Sequence, residues 1–297
     1  MTHDDSKPFA TVPGVEPTTD RGLAAVRVTT ESASGLVYLQ GAHVAAWQPR
    51  DHDPVIYMSE NASYAPGKAL RGGIPVCFPW FGAHSEQKAY PAHGFARTHD
   101  FQYRGARLDS AGNPQLELVL ESDAGTLALF PHAFTARLRV TFGPTLELEF
   151  SVTNRDAQAF TFEEALHSYF SVADVKQVSV LGLQGATFAD KVRDMATFTE
   201  RDAALHFSAE TDRVYESAAT CTIVDPVGKR SLVIEKAHSE ATVVWNPWAE
   251  RAAQMSDLGA SAWPHMLCVE SANVGKSKIA LQAGESHLLR VRVSVSA

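Results

Sequence analysis

Apolar and polar residues alternate with a period of two along much of this chain, the pattern of strands with one buried face. In residues 134–142, Phe134, Ala136, Leu138, Val140 and Phe142 share one face, with Thr135, Arg137 and Arg139 on the other. After a Gly143-Pro144 turn, Leu146, Leu148, Phe150 and Val152 repeat the pattern against Glu147, Glu149 and Ser151, which predicts a hairpin. Shorter alternating runs at 36–39, 116–120, 232–234, 243–245, 279–281 and 289–295 carry strands to the end of the chain. Helical spacing is confined to pieces such as 190–198 and 249–258, and no strand–helix repeat of the α/β kind appears. The pattern predicts an all-β protein, a large antiparallel β-sandwich with a few short helices.

Composition narrows the class. At 297 residues, with 45% apolar and 20% charged residues, the chain has the balance of a globular protein. It shows no composition break after residue 22, so we expect a flexible arm over 1–22 and one domain over 23–297. A net charge of -8 argues against nucleic acid or an anionic membrane as partner, and any anion must meet a locally basic pocket. No apolar run reaches the roughly 18 residues of a membrane span. The first twenty residues lack the basic-then-apolar order of a signal peptide. Cys77, Cys221 and Cys268 form no C-x-x-C pair and no even-numbered framework. These features predict reduced thiols and a cytoplasmic location.

Residues 59–104 are the least strand-like region, rich in Gly, Pro, His and aromatics, as a functional loop system on a rigid scaffold would be. Within it, Arg71 precedes Gly72 and Gly73, which let the backbone bend sharply and a ligand approach closely. Taken alone, this segment reads equally as a turn with a solvated arginine entering a buried strand at 76–78. His93 and Arg97 sit four residues apart in a second loop and can both donate hydrogen bonds to one polar ligand. His167 occupies an apolar strand segment, sharing a face with Ala165 and Tyr169. It is either a core imidazole bonded to a carbonyl or a general acid. Glu270 closes the apolar run Met266-Leu267-Cys268-Val269, where an unpaired carboxylate would be costly, so it is either paired with an arginine or engaged in chemistry. Trp245 and Trp248 offer indoles for a sugar face or for ordinary packing.

In this order, Arg71-Gly-Gly-Ile-Pro75, Phe78-Pro-Trp-Phe-Gly82, His93-Gly-Phe-Ala-Arg97, Leu166-His-Ser-Tyr-Phe170, Val244-Trp-Asn-Pro-Trp248 and Cys268-Val-Glu-Ser271 resemble the glucose-6-phosphate 1-epimerase family. These are the hexose-6-phosphate mutarotases of the galactose-mutarotase-like superfamily. The resemblance spans about residue 23 to the C-terminus. It implies that His167 is the general acid and Glu270 the general base. It places Arg71, His93 and Arg97 in the substrate site, and Asp212, in Thr211-Asp-Arg-Val-Tyr215, at the substrate-binding aspartate. Some members carry Gln where this chain has Ala92, which leaves the sugar preference open.

The implied reaction, anomer exchange of a hexose 6-phosphate, needs only two proton transfers. No cofactor is therefore expected. No metal is expected either, since H-E-x-x-H and Walker-type strings are missing and His84, His93 and His99 have no recognised ligand spacing. Three other readings stay open. They are an aldose 1-epimerase acting on free sugar, a non-catalytic carbohydrate-binding protein, and a glycosidase pairing Glu163 or Glu164 with Glu270.

Overall fold

The computed structural model of the protein describes residues 11–296. Strands run throughout, and the predicted hairpin forms as Phe134–Phe142 and Leu146–Asn154, paired antiparallel from Phe142↔Leu146 to Phe134↔Asn154. It lies inside a nine-stranded antiparallel sheet. To one side Ser286–Ser296, Arg230–Ala237 and Cys221–Asp225 follow, and to the other Pro114–Glu121 and Gln102–Leu108. A second sheet of eight strands contains Thr187–Asp190, Thr211–Glu216, Ala241–Asn246, Met266–Asn273 and Glu164–Leu166, in that order. A four-stranded sheet from Val15–Asp20 to His43–Pro49 packs beside them.

One apolar core joins the sheets. Leu138, Phe150 and Val152 from the nine-stranded sheet are buried in the same cluster as Leu166, Val244, Leu267 and Val269 from the eight-stranded one. Phe78 stands edge-on to Phe134, Phe150 and Phe162, with ring centroids 5.0–6.1 Å apart, the geometry that aromatic quadrupoles favour. Alternation then decides what faces the other way. Leu267 and Val269 enter the core, while Met266, Cys268 and Glu270 point from the same strand to the opposite face, beside Tyr169.

Two expectations need correction. Residues 1–10 lie outside the described residues, but Val15–Asp20, placed within a flexible arm, is a strand paired with Leu23–Thr29 over six positions. Val12 and Val15 bury in the core and Asp20 meets Arg27 at 3.3 Å, so this segment is fastened at both ends. The helical spacing at 190–198 belongs instead to a hairpin. Strands Thr187–Asp190 and Ala196–Thr199 pair across a turn in which Asp194 and Met195 have positive φ. At 249–258 a helix does form, as Trp248–Ala253, and the chain beyond it turns.

Candidate active site

The strand Met266–Asn273 is buried at all eight positions, so Glu270 projects from a rigid support and is itself 1% exposed. Its neighbour across the sheet is interrupted. Between Glu164–Leu166 and Tyr169–Ser171 the chain leaves strand geometry at His167 and Ser168, and the His167 amide bonds the Pro75 carbonyl at 3.0 Å. This break brings His167 Nε2 to 3.4 Å from Glu270 Oε1. Tyr169 stacks on the imidazole at 4.9 Å with an interplanar angle of 12°, and Trp245 stands edge-on to it at 6.1 Å. Both members resist charge. Burial above all holds the His167 pKa well below the usual imidazole range, reinforced by His93, Arg97, Arg71 and Lys191. Burial likewise pushes Glu270 well above the usual carboxylate range, against the opposing charge of Lys191.

Two glycine contacts fix the loops around this pair. Gly73, at φ 68°, lies so close to His43 that a Cβ there would fall 2.0 Å from the His43 ring nitrogen Nε2. Arg71, two residues earlier, donates from Nε to Asp257 Oδ2 at 3.0 Å and from Nη1 to the Tyr169 hydroxyl at 3.0 Å, with Nη2 2.9 Å from the same Asp257 oxygen. Its charge is thus compensated. In the second loop, a Cβ on Gly94 would lie 1.9 Å from the Phe78 carbonyl oxygen.

Beside Gly94, His93 itself adopts φ 63°, a conformation uncommon for a residue with a side chain. Its amide bonds the Gly82 carbonyl at 2.7 Å and its Nδ1 accepts the Gly82 amide at 3.3 Å, which leaves the ring proton on Nε2. Burial and then the nearby Arg97 lower the His93 pKa to about 3, so the ring stays neutral. Arg97 donates from Nη2 to the Ala92 carbonyl at 2.6 Å. Among the described residues no carboxylate lies within ion-pair distance of it.

Arg71, His93, Arg97, His167, Asp212 and Glu270, all six residues expected from sequence, line one cavity of about 650 Å³. Such a volume suits a small-molecule ligand. His167 Nδ1, Glu270 Oε2 and Arg97 Nε are buried without protein partners, donors and acceptors matched to a hydroxyl-rich ligand. Trp245 also lines the cavity, whereas Trp248 packs on Trp263 at 4.4 Å. Sequence reasoning missed Lys191, Glu210 and Arg251 in the wall, and Asp257 behind Arg71. No motif marks them, because tertiary packing alone brings them to the cavity.

Glu163 and Glu164 do not reach the cavity. Glu163 accepts the backbone amides of Phe81 and Gly275 at 2.9 and 2.7 Å, and Glu164 binds His287 at 2.8 Å and Asn273 at 2.8 Å. The donor atoms of His167, Cys268 and Glu270 lie within 4.8 Å of one another. Burial, and then the Glu270 charge, raise the Cys268 thiol well above its usual range, so it stands protonated beside the pair.

Residues 25–294 match the family described as aldose 1-epimerase. A curated relative from Cenchrus ciliaris, named "putative glucose-6-phosphate 1-epimerase", is 35% identical over 267 residues, covering 87% of this chain and 80% of its own. A relative of the same name from Escherichia coli K12 is 33% identical, covering 86% and 85%. The crystal structure of a "putative mutarotase" from Salmonella typhimurium superposes with a TM-score of 0.89 at 30% identity, covering 97% of this chain and 95% of that one. The fold, the cavity and these likenesses agree, and the chain belongs to the aldose 1-epimerase family.

Proposed function

We propose that the protein interconverts the α and β anomers of a hexose 6-phosphate, glucose 6-phosphate first among them, with Glu270 as base and His167 as acid. The observation that carries this reading is the 3.4 Å separation of the two groups. In a cyclic hemiacetal, the anomeric hydroxyl and the ring oxygen are bonded to the same carbon. The groups that deprotonate one and protonate the other must therefore be neighbours.

Once the pair's one proton has passed from Glu270 to His167 across their 3.4 Å separation, Glu270 takes the proton of the C1 hydroxyl, the bond from C1 to the ring oxygen breaks, and His167 supplies a proton to that oxygen. The aldehyde turns about its C1–C2 bond and presents its other face. The C5 hydroxyl then attacks C1, returning its proton to His167 while Glu270 protonates the former carbonyl oxygen. The pair enters and leaves with one shared proton, so its titration belongs to the pair rather than to either residue. The remaining wall orients the substrate. Neutral His93 donates from Nε2, Trp245 offers an apolar ring face, and Asp212 accepts from sugar hydroxyls. Arg71, already compensated by Asp257, suits a neutral hydroxyl. Arg97, with no carboxylate partner, suits the phosphate dianion.

The relatives named for glucose 6-phosphate support the phosphorylated substrate. The placement of Glu163 and Glu164 outside the cavity disfavours the glycosidase reading. No described helix is long and apolar enough to cross a membrane. Cys77, Cys221 and Cys268 are buried and unpaired, in keeping with a reducing cytoplasm, where we place the reaction. The test is anomer exchange, followed by two-dimensional exchange NMR, on glucose, galactose and their 6-phosphates. Exchange of the phosphates well above the spontaneous rate supports the reading. Equal efficiency on glucose and glucose 6-phosphate would move the protein to the free-sugar epimerases.

A further inference from the structure

Two cations of the cavity wall, Lys191 and Arg251, have no part in the proton transfers or in holding the substrate, and Arg251 is solvent-exposed. Lys191 opens the turn Lys191–Arg193, directly after the strand Thr187–Asp190. Its Nζ lies 3.3 Å from Asp212 Oδ1 and 4.7 Å above the Phe81 ring, so the ammonium is steered inward from both sides. The turn is pinned locally. Asp190 accepts the Val192 amide at 3.0 Å and lies 3.6 Å from Arg193 and 3.7 Å from Arg213. Val192 and Met195, beyond it, are largely exposed and add little to the core. The hairpin thus joins the core through Phe188, while its turn carries the Lys191 ammonium to the cavity.

We propose that Lys191 is a positioning residue of the reaction: its ammonium holds Asp212 as an ionised acceptor for the sugar and sets the electrostatic level at which the His167–Glu270 pair keeps its single proton. The proposal rests on the mutarotase reading. Other groups face the pair as well. His93 is neutral, Arg71 is compensated by Asp257, and Arg97 is assigned to the substrate phosphate. Tyr169, Cys268 and Cys77 are held protonated by burial. Asp212 is the anion, and Lys191 both partners it and favours a carboxylate at Glu270. A nearby cation favours proton loss from both members of the pair, so its removal must move both in the same direction.

The experiment compares wild type with Lys191→Met, Lys191→Gln and Lys191→Arg, reading kcat/KM for glucose 6-phosphate anomer exchange across pH. Both limbs of the profile should move to higher pH in the Met and Gln variants. At a fixed pH on the acid limb, activity relative to each enzyme's own optimum should fall at least about threefold, and Arg should restore the profile. Asp212→Asn should move both limbs to lower pH and raise KM. An NMR titration of His167 without substrate reads the same displacement when turnover is too slow to measure. Limbs and titration unchanged, or displaced to lower pH, in folded Met and Gln variants would overturn the proposal. Wild-type enzyme inactive on every hexose 6-phosphate would overturn the mutarotase reading instead.

Discussion

At the residue scale, Glu270→Gln keeps the shape of the base and removes its proton affinity, and His167→Asn removes the titrating imidazole. Each substitution should lower kcat/KM by about 10²–10⁴, the usual range for one positioned proton transfer. The double variant should lose less than the product of the two, because one group without the other completes neither half of the exchange. Thermal melts should show each variant folded; wild-type exchange rates in either would remove that residue from its role. Since the active pair carries one proton, activity should fall both where a second proton is bound and where the last is lost. A profile flat between pH 5 and 9 would contradict the shared-proton scheme. The residues of this pair stand out in sequence because a histidine and a glutamate interrupt apolar runs. Lys191 and Asp257 are invisible there, because charged residues in polar surroundings look like solvent-facing ones until packing brings them together.

At the element scale, period-two alternation makes the strands legible, and the hairpin 134–154 forms where the pattern places it. At 190–198, Val192, Met195 and Phe198 recur every three residues and imitate one helical face. They are instead exposed positions on an edge hairpin, 47%, 56% and 37% exposed, whose spacing reflects the turn and not burial. Periodicity is informative only where the repeated face is covered, and here only Phe198 is screened, by Phe188 at 5.7 Å and the Arg193 guanidinium at 5.2 Å. The interruption at His167 and Ser168 escapes the pattern for the opposite reason, since both faces are buried and alternation continues through the break. The loop geometry that presents His93 and Arg97 depends on Gly94, so Gly94→Ala should cost at least about 2 kcal/mol through the clash with the Phe78 carbonyl. It should also lower specific activity in the fraction that remains folded. A melt and activity equal to wild type would show that the loop relaxes without moving His93.

At the scale of the whole molecule, a chain of net charge -8 binds a dianion only where the local field is reversed. Arg97→Ala should therefore reduce kcat/KM on glucose 6-phosphate by about 10–100-fold, the loss of one or two charge-assisted hydrogen bonds. The reaction on free glucose should change far less. Arg71→Ala should instead weaken both substrates together, since its compensated guanidinium faces the sugar. Losses in the reverse pattern would exchange the two assignments. Exhaustive chelation should leave the exchange rate unchanged, because both proton transfers are assigned to side chains. A collapse reversed by one divalent ion would assign a ligand role to His167, Glu270 and Cys268.

The strand Met266–Asn273 is covered on both faces, with core packing against Leu267 and Val269 and the cavity floor on the side of Cys268 and Glu270. Every substitution in it is felt either by the fold or by the chemistry, which leaves no neutral position for drift. In a saturation library selected for activity, this strand should be the most intolerant stretch of the sequence. New sugar preferences would then arise at the rim, where Glu210, Arg251 and Gln254 touch the cavity from exposed positions. The architecture thus separates an invariant reaction from an adaptable recognition surface, and diversification within such a lineage would be read at the rim while the floor stays silent.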